Sequence, residues 1–192
     1  MIPDLASAAG AIRVRLDTRQ GRVVAASIAS SRRPDLARRL FVGRRAEDLL
    51  ETLPLVFSVC ATAQATAAVR ACEQAAGIDT AAPQERAREL LVLAETAREH
   101  LWRILQGWSD WLGTPPRSEG MAAVGRMRGA WHQALYPLCD GFRLGGGRLQ
   151  PDRAASRQLL AEMTAAIAGA LGTDPQAWLE MDSQEEIEAW QG

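Results

Sequence analysis

The sequence contains no lysine, and all 22 of its basic residues are arginine, against 23 acidic residues. The formal net charge is −1 and the pI is about 6.2, which excludes a global positive field for nucleic acid or anionic lipid. Three cysteines at irregular spacing are too few for a disulfide framework. No apolar run approaches the roughly 18 residues of a membrane span, and the start of the chain lacks a signal-peptide pattern. We therefore predict a cytoplasmic protein with reduced thiols that binds neither nucleic acid nor membrane.

The composition that is present is typical of a soluble globular protein, with 47% apolar and 23% charged residues over 192 positions. This length can bury a sizeable core. We predict a single domain over residues 1–192, with a hairpin at about 11–30 and a helical part at about 34–192. The alternative left open is that these residues form the N-terminal part of a longer protein.

The first thirty residues carry the signature of a β-hairpin. Ile12, Val14 and Leu16 alternate with charged residues, a Gly-containing turn follows at Thr18–Gly21, and a second β-rich run covers Arg22–Ala29. This pattern predicts two antiparallel strands joined by a loop of about four residues. Because an isolated hairpin is marginal in water, we expect it to pack on the helices or to pair with another strand.

Helical signals dominate from Leu53 onward. The stretch Leu53–Ile78 reads as one helix, and the next helix begins near Pro83. The predicted buried face of the first comprises Leu55, Val59, Thr62, Thr66, Val69, Cys72 and Ala76. The predicted stripe of the second comprises Leu90, Leu93, Ala94, Ala97, Leu101, Ile104, Leu105 and Trp108. We expect these two helices to be antiparallel neighbours.

The rest of the chain predicts shorter helices. One covers about Met121–Leu135, and another runs from about Pro151 to Leu171 and ends at Gly172. The apolar face of the 151–171 helix comprises Leu160, Met163, Ile167 and Leu171. Asp174 should cap a short helix, and Ser183 with Glu186 should form the capping box of the last one. The fold class is therefore mostly α (α+β), with an N-terminal antiparallel hairpin packed on a bundle of about five helices.

Few residues suggest chemistry on their own. Cys60 and Gln64 are four apart and share a helix face, while Cys72 follows the apolar face and reads as core. His100 and His132 read as packed or surface residues, and Cys139 lies in a loop without other residues at ligand spacing. The segment "GFRLGGGRL" lacks the Lys and Ser/Thr of a phosphate loop and is interpreted as a flexible turn.

The order of features resembles the N-terminal part of the nickel–iron hydrogenase large subunit. In that family a "GR" precedes a segment reading RICGVCxxxHxxAxxxAxExAxGI. Here Gly43–Arg44 matches the first element and Val59–Cys60 the second "VC". The further residues in register are Ala67, Ala71, Glu73, Ala75, Gly77 and Ile78, and His100 falls near a histidine of the family's next helix. The resemblance covers roughly residues 11–110.

The departures from this pattern determine what the resemblance implies. Phe57 replaces the first cysteine of the family's CxxC, which is a nickel ligand, and Gln64 replaces its histidine. The second cysteine pair of the family, DPCxxCxxH, has no counterpart. Only Cys60, at the position that touches iron, remains. The resemblance therefore implies no nickel and no hydrogen chemistry, because soft metals need thiolates that Phe57 cannot supply.

The chain with "VFSVCATAQ" at this position resembles the hydrogenase accessory proteins of the HupK/HoxV type. That resemblance implies a hydrogenase large-subunit-like fold and a non-catalytic maturation scaffold that holds or passes the Fe(CN)2CO unit. It implies Cys60 as the iron ligand, Gln64 as a donor to a cyanide, and maturation chaperones and the large subunit as partners. The alternative is a metal-free helical interaction module that binds hydrogenase subunits or chaperones.

Overall fold

The computed structural model describes residues 11–31, 36–113 and 120–191. Contacts between residues divide the chain into two compact units, Met1–Arg44 and Arg45–Gly192. The described parts are mostly helical and contain one two-stranded antiparallel sheet, so the predicted fold class is confirmed. The packing of the hairpin on the helices and the single-domain organisation stay predictions. Among the described helices, none is long and apolar enough to cross a membrane.

The first unit contains the hairpin, in which β1 (Ile12–Arg19) pairs antiparallel with β2 (Arg22–Ser30). Its turn consists of Gln20 and Gly21 alone, with φ angles of 50° and 75°. The predicted loop of about four residues is therefore too long. Positive φ at both positions matches the twist of a two-residue hairpin turn, which lets the strands pair up to the turn.

Eight helices lie within the described ranges, and five of them have eleven residues or more, in agreement with the bundle of about five that we predicted. The first unit contains α1 (Leu36–Phe41), which is followed by Gly43 at a φ of 82°. The second unit contains α2 (Ala46–Val56), α3 (Ala61–Ala76), α4 (Ala82–Leu112), α5 (Met121–Leu135), α6 (Arg153–Leu171), α7 (Pro175–Leu179) and α8 (Gln184–Gln191).

The helices α3 and α4 are antiparallel neighbours, as predicted. Side chains of α4 bond to α3 in reverse order: Glu95 binds the start of α3 at Thr62, and Arg88 binds its end at Glu73. Between them, Arg70 of α3 forms an ion pair with Glu89, with 3.1 Å between Nη2 and Oε1. Charged residues therefore join the two helices along most of the length of α3.

The main apolar core is formed by α4, α5 and α6. It includes Leu101 of α4, Val124 and Met127 of α5, and Met163 of α6, all of which are buried. Beside it, the ring of Trp108 near the end of α4 contacts Trp178 of α7 at a tilt and Trp190 of α8 edge-on, with ring centroids about 6 Å apart. These contacts tie the last two short helices to α4.

The predicted helix ends are largely confirmed. The side chain of Asp174 accepts hydrogen bonds from the backbone N–H groups of Gln176 and Ala177, and Ser183 and Glu186 bond reciprocally as a capping box. Gly172 ends α6 with a φ of 72°. The start of α6 is two residues later than predicted, because Asp152 is its N-terminal cap.

Candidate functional site

The stretch predicted to be one helix from Leu53 to Ile78 is broken, and this prediction is wrong. The helix α2 ends at Val56, and Phe57–Cys60 form a turn before α3 begins at Ala61. Pro54 lies in the last turn of α2, where its ring has no N–H to donate to the preceding turn. The break gives Cys60 a position at a helix start rather than in a helix interior.

Cys60 is the N-cap residue of α3, and its thiol is exposed and free. Its backbone carbonyl accepts a hydrogen bond from the Gln64 N–H at 3.0 Å. The Gln64 side-chain amide lies 3.8 Å from the Cys60 sulfur. The structure therefore brings together the two residues that the sequence singled out, one turn apart on an accessible edge of α3.

A buried carboxylate from α4 caps the same helix start. Glu95 is 4% exposed, and its two oxygens accept hydrogen bonds from the N–H of Thr62 at 2.8 Å and of Ala63 at 3.0 Å. Acidic groups at a helix N-terminus are stabilised by the helix dipole. Sequence reasoning missed Glu95, because an acidic residue in an amphipathic helix reads as part of the solvated face.

The helix α5 supplies two further polar groups beside this turn. A guanidinium N–H of Arg128 donates to the Ser58 carbonyl at 3.0 Å. Burial, helped by the charge of Arg128 and opposed by that of Glu95, lowers the pKa of His132 below its usual 6.5. The His132 ring packs edge-on against Phe142, with 5.4 Å between centroids. His132 is therefore a neutral, packed histidine near neutral pH, as its sequence context indicated.

The remaining sequence candidates lie elsewhere. His100 is exposed on α4, Cys72 is partly buried in α3, and Cys139 is exposed in the loop after α5 with a φ of 53°. Within residues 11–31, 36–113 and 120–191, no three His, Cys, Asp or Glu side chains are grouped to hold a metal ion. Cys60 is therefore not part of a preformed metal cage in this part of the chain.

A second polar cluster, which the sequence did not predict, lies at the other end of α3. Arg88 is fully buried and donates to both oxygens of Glu73, at 2.8 and 2.9 Å. Its other bonds go to Glu85 and to the backbone carbonyls of Gly141 and Arg143. All five guanidinium N–H groups are thus used. We name Glu73, Arg88 and Glu85 the arginine cluster.

Hydrogen bonds and ion pairs in the arginine cluster together shift the pKa values of Glu73 and Arg88 more than burial does. Burial acts to raise the pKa of Glu73, but hydrogen bonds from Arg88 and from the Gly145 N–H hold the pKa below its usual 4.5. Burial likewise acts to lower the pKa of Arg88, and Glu73 and Glu85 raise it instead. Both groups are charged near neutral pH, which is the state in which a buried pair is satisfied.

The Gly-rich segment is a structural partner of this cluster, so its interpretation as a flexible turn is corrected. The Gln84 side chain donates to the Gly147 carbonyl at 2.6 Å and accepts from the Tyr136 hydroxyl at 2.7 Å. A Cβ at Gly147 would lie 2.2 Å from the Asp140 carbonyl oxygen. Glycine is thus needed here for close backbone approach, and no phosphate-binding role follows.

Two curated proteins are similar to the chain. The hydrogenase expression/formation protein HupV of Azotobacter chroococcum mcd 1 is 37% identical over 143 residues, which is 74% of this chain. The hydrogenase expression/formation protein HupK of Azotobacter vinelandii is 34% identical over 184 residues, or 95% of this chain. The resemblance to HupK-type accessory proteins that we read from the sequence is therefore confirmed.

These matches cover only part of each relative. The matched stretch takes up 36% of the HupV protein and 50% of the HupK protein, so the chain spans half the length of these relatives or less. No model of a known protein family matches the chain, and no solved structure matches it significantly. The expected likeness to the fold of the hydrogenase large subunit therefore stays a prediction.

Proposed function

We propose that the chain is a non-catalytic accessory protein in the maturation of nickel–iron hydrogenase. The observation that carries this proposal is its 34% identity, over 95% of its length, to a protein named for hydrogenase expression and formation. The partners we propose are maturation chaperones and the hydrogenase large subunit. A cytoplasmic location follows from this proposal, since the metal centre has to be built where these partners fold.

We further propose that the substrate carried is the Fe(CN)2CO unit and that Cys60 binds its iron. Thiolates are the side chains that hold soft metal centres, and the Cys60 thiol is exposed at the turn between α2 and α3. Its accessibility suits a ligand that is taken up and handed on. Gln64 lies close enough to the sulfur to donate an amide N–H to a cyanide nitrogen of the same unit.

The residues around Cys60 favour transient carriage of iron over a resident metal centre. Phe57, three residues before Cys60, brings an aromatic ring where a second thiolate would be needed for nickel. The described part of the chain offers no cluster of three ligands. The coordination of the iron unit would therefore be completed by a thiolate of a partner, since the other described cysteines lie elsewhere in the chain.

A second candidate function is a helical interaction module that binds hydrogenase subunits or chaperones without metal. The observation favouring it is the apolar surface beside the turn: Leu55 is 81% exposed and Val59 is 64% exposed. Large apolar side chains that form an exposed patch often mark a protein contact. This candidate needs no ligand at Cys60, which separates it from the first.

Infrared spectroscopy distinguishes the two candidates. Protein co-expressed anaerobically with its chaperone partners should show cyanide and carbonyl stretching bands and contain iron, and the Cys60→Ser variant should lose both. Cys72→Ser is the matched control, since Cys72 is partly buried in α3 and should keep the bands. Bands at the wild-type level in Cys60→Ser would exclude Cys60 as the ligand, and their absence from wild-type protein would favour the metal-free module.

A further inference from the structure

The helix α3 is capped in an unusual way. An N-cap residue commonly uses its own side-chain oxygen to accept a backbone N–H from the first turn, and Ser, Thr, Asp and Asn are preferred there. Cys60 occupies this position and makes no side-chain cap bond. The N–H groups of Thr62 and Ala63 are bonded instead to Glu95, which lies 33 residues after Thr62 in the chain.

Glu95 is well placed to replace the missing cap. Each of its carboxylate oxygens accepts one N–H group, at 2.8 and 3.0 Å, and the residue is 4% exposed. Because α3 and α4 run antiparallel and pack together, this contact fixes the first turn of α3 against the body of the helix pair. The cap is therefore rigidly attached to a neighbouring helix, whereas a cap from residue 60 would belong to the turn itself.

We propose that Glu95 is a positioning residue for Cys60. Because Glu95 already bonds the N–H groups of the first turn of α3, the side chain of residue 60 does not have to bond them. The Cys60 sulfur therefore stays available to a ligand beside the Gln64 amide. A cap made by residue 60 itself would direct its side chain back towards the N–H groups of Thr62 and Ala63. This inference rests on the proposed function, in which Cys60 is the ligand that Glu95 holds in place.

The other side of the turn is held in a corresponding way. Arg128 of α5 donates a guanidinium N–H to the carbonyl of Ser58, two residues before Cys60. Glu95 binds the two residues that lie two and three positions after it. The backbone that carries the sulfur is thus bonded on both sides to helices of the core, and the more buried of the two contacts is that of Glu95.

The capping role can be tested on the protein alone by amide NMR and urea unfolding. Removing the carboxylate in Glu95→Ala should move the amide proton resonances of Thr62 and Ala63 upfield and lower the unfolding midpoint. In the Cys60→Ser background the same substitution should lower the midpoint less, because a serine at the N-cap can accept the N–H itself. This double variant also keeps the test valid if Glu95→Ala alone folds poorly. Glu89→Ala, an exposed carboxylate of the same helix, is the control and should leave both amide resonances unchanged.

An equal loss of stability in the wild-type and Cys60→Ser backgrounds, or unchanged Thr62 and Ala63 resonances, would overturn the capping role. The positioning role is tested on protein loaded anaerobically, where Glu95→Ala should retain less than half of the wild-type iron and cyanide bands. Full loading of Glu95→Ala, with its amide resonances shifted, would overturn the positioning role. If wild-type protein carries no iron unit, the proposed function is wrong, and so is the positioning of a ligand-binding sulfur by Glu95. The NMR and unfolding results would still show whether Glu95 caps α3.

Discussion

The two ends of α3 are both bonded to charged side chains of α4, yet one end is closed and the other is open. At the C-terminal end, Arg88 is fully buried, and each of its donors has a partner. At the N-terminal end, Glu95 is buried, but Cys60 beside it keeps an exposed thiol without a cap bond. At the closed end, the donors of Arg88 are all bonded within the protein. At the open end, the Cys60 thiol remains exposed.

This difference indicates where function can reside. A buried charge that satisfies all its partners has no capacity left for a ligand, so the arginine cluster is expected to govern stability alone. An exposed thiol on a turn fixed from both sides can bind without disturbing the core.

The largest effect is expected from breaking the closed end. Arg88→Met should lower the free energy of unfolding by about 3–5 kcal/mol, because the Glu73 carboxylate is left buried without its charged partner. Urea denaturation measures this loss. Arg70→Met is the matched control, since Arg70 pairs with Glu85 and Glu89 on the surface of the same helix pair, and exposed pairs contribute about 1 kcal/mol or less. Equal losses in the two variants would contradict the expectation that the buried pair contributes more to stability than the exposed one.

Lowering the pH should reduce the free energy of unfolding in two separate ranges. The first range is set by His132 and the second by Glu73. The folded pKa of His132 is below 6.5, so below that pH the unfolded chain takes up this proton more readily and stability falls. The folded pKa of Glu73 is below 4.5, so its contribution is present above that pH and is lost only as the pH falls further. Unfolding free energies measured between pH 8 and about 3.5 should therefore decline in two steps.

Substitution identifies the first of these steps. His132→Gln should remove the decline that begins as the pH falls below 6.5 and leave the later one, because glutamine does not titrate. His100→Gln is the control, as His100 is exposed on α4, and it should leave the profile unchanged. A profile in which His132→Gln and wild-type protein fall in parallel from pH 7 to 5 would show that burial of the His132 ring is not linked to stability.

The fold was predictable wherever local chemistry determines it. The hairpin, the bounds of α5, the C-terminal end of α6 and the starts of α7 and α8 were predictable from alternation, helix periodicity and capping by Asp174 and Ser183. All of these depend on residues close in sequence. The break at Phe57–Cys60 was missed, because the apolar periodicity continues through it. Leu55 and Val59 match that periodicity, yet they are exposed.

The errors along α4 have a common physical cause. The predicted stripe included Leu90 and Leu93, which are 37% and 65% exposed, whereas Arg88 and Glu95 are buried. Counting apolar residues assigns charged ones to the solvent, but here their partners lie on α3 and in the loop after α5, far away in sequence. In α6 the same procedure chose Leu160, 58% exposed, over its neighbour Leu159, 9% exposed.

At the candidate site, the proximity of Cys60 and Gln64 was predictable, but the residues of other helices that hold the turn were not. Cys60 and Gln64 were identified through the resemblance and their spacing, and they do lie together. Glu95 and Arg128 reach the turn from α4 and α5, and only the folded structure brings them there. An acidic residue about thirty positions after a helix start carries no sequence signal of its own.

The smallest effect on stability is expected at the open end itself, from Gln64→Ala. Gln64 is partly buried and its side-chain amide contacts only the Cys60 sulfur among the hydrogen bonds described, so the free energy of unfolding should change by about 0.5 kcal/mol or less. In the proposed site Gln64 supports the ligand and is not itself the ligand, so the iron unit should still bind. Its occupancy should fall.

The infrared signature makes this last prediction specific. An amide N–H donated to a cyanide nitrogen acts on that ligand more than on the carbonyl, so Gln64→Ala should move the cyanide bands further than the carbonyl band. Gln74→Ala is the matched control: the same residue type, exposed near the closed end of the same helix, and it should leave both bands and occupancy unchanged. Band positions identical to those of wild-type protein in Gln64→Ala would exclude a hydrogen bond from this amide to cyanide. The open end would then act through the Cys60 sulfur alone, with Gln64 serving only to pack against it.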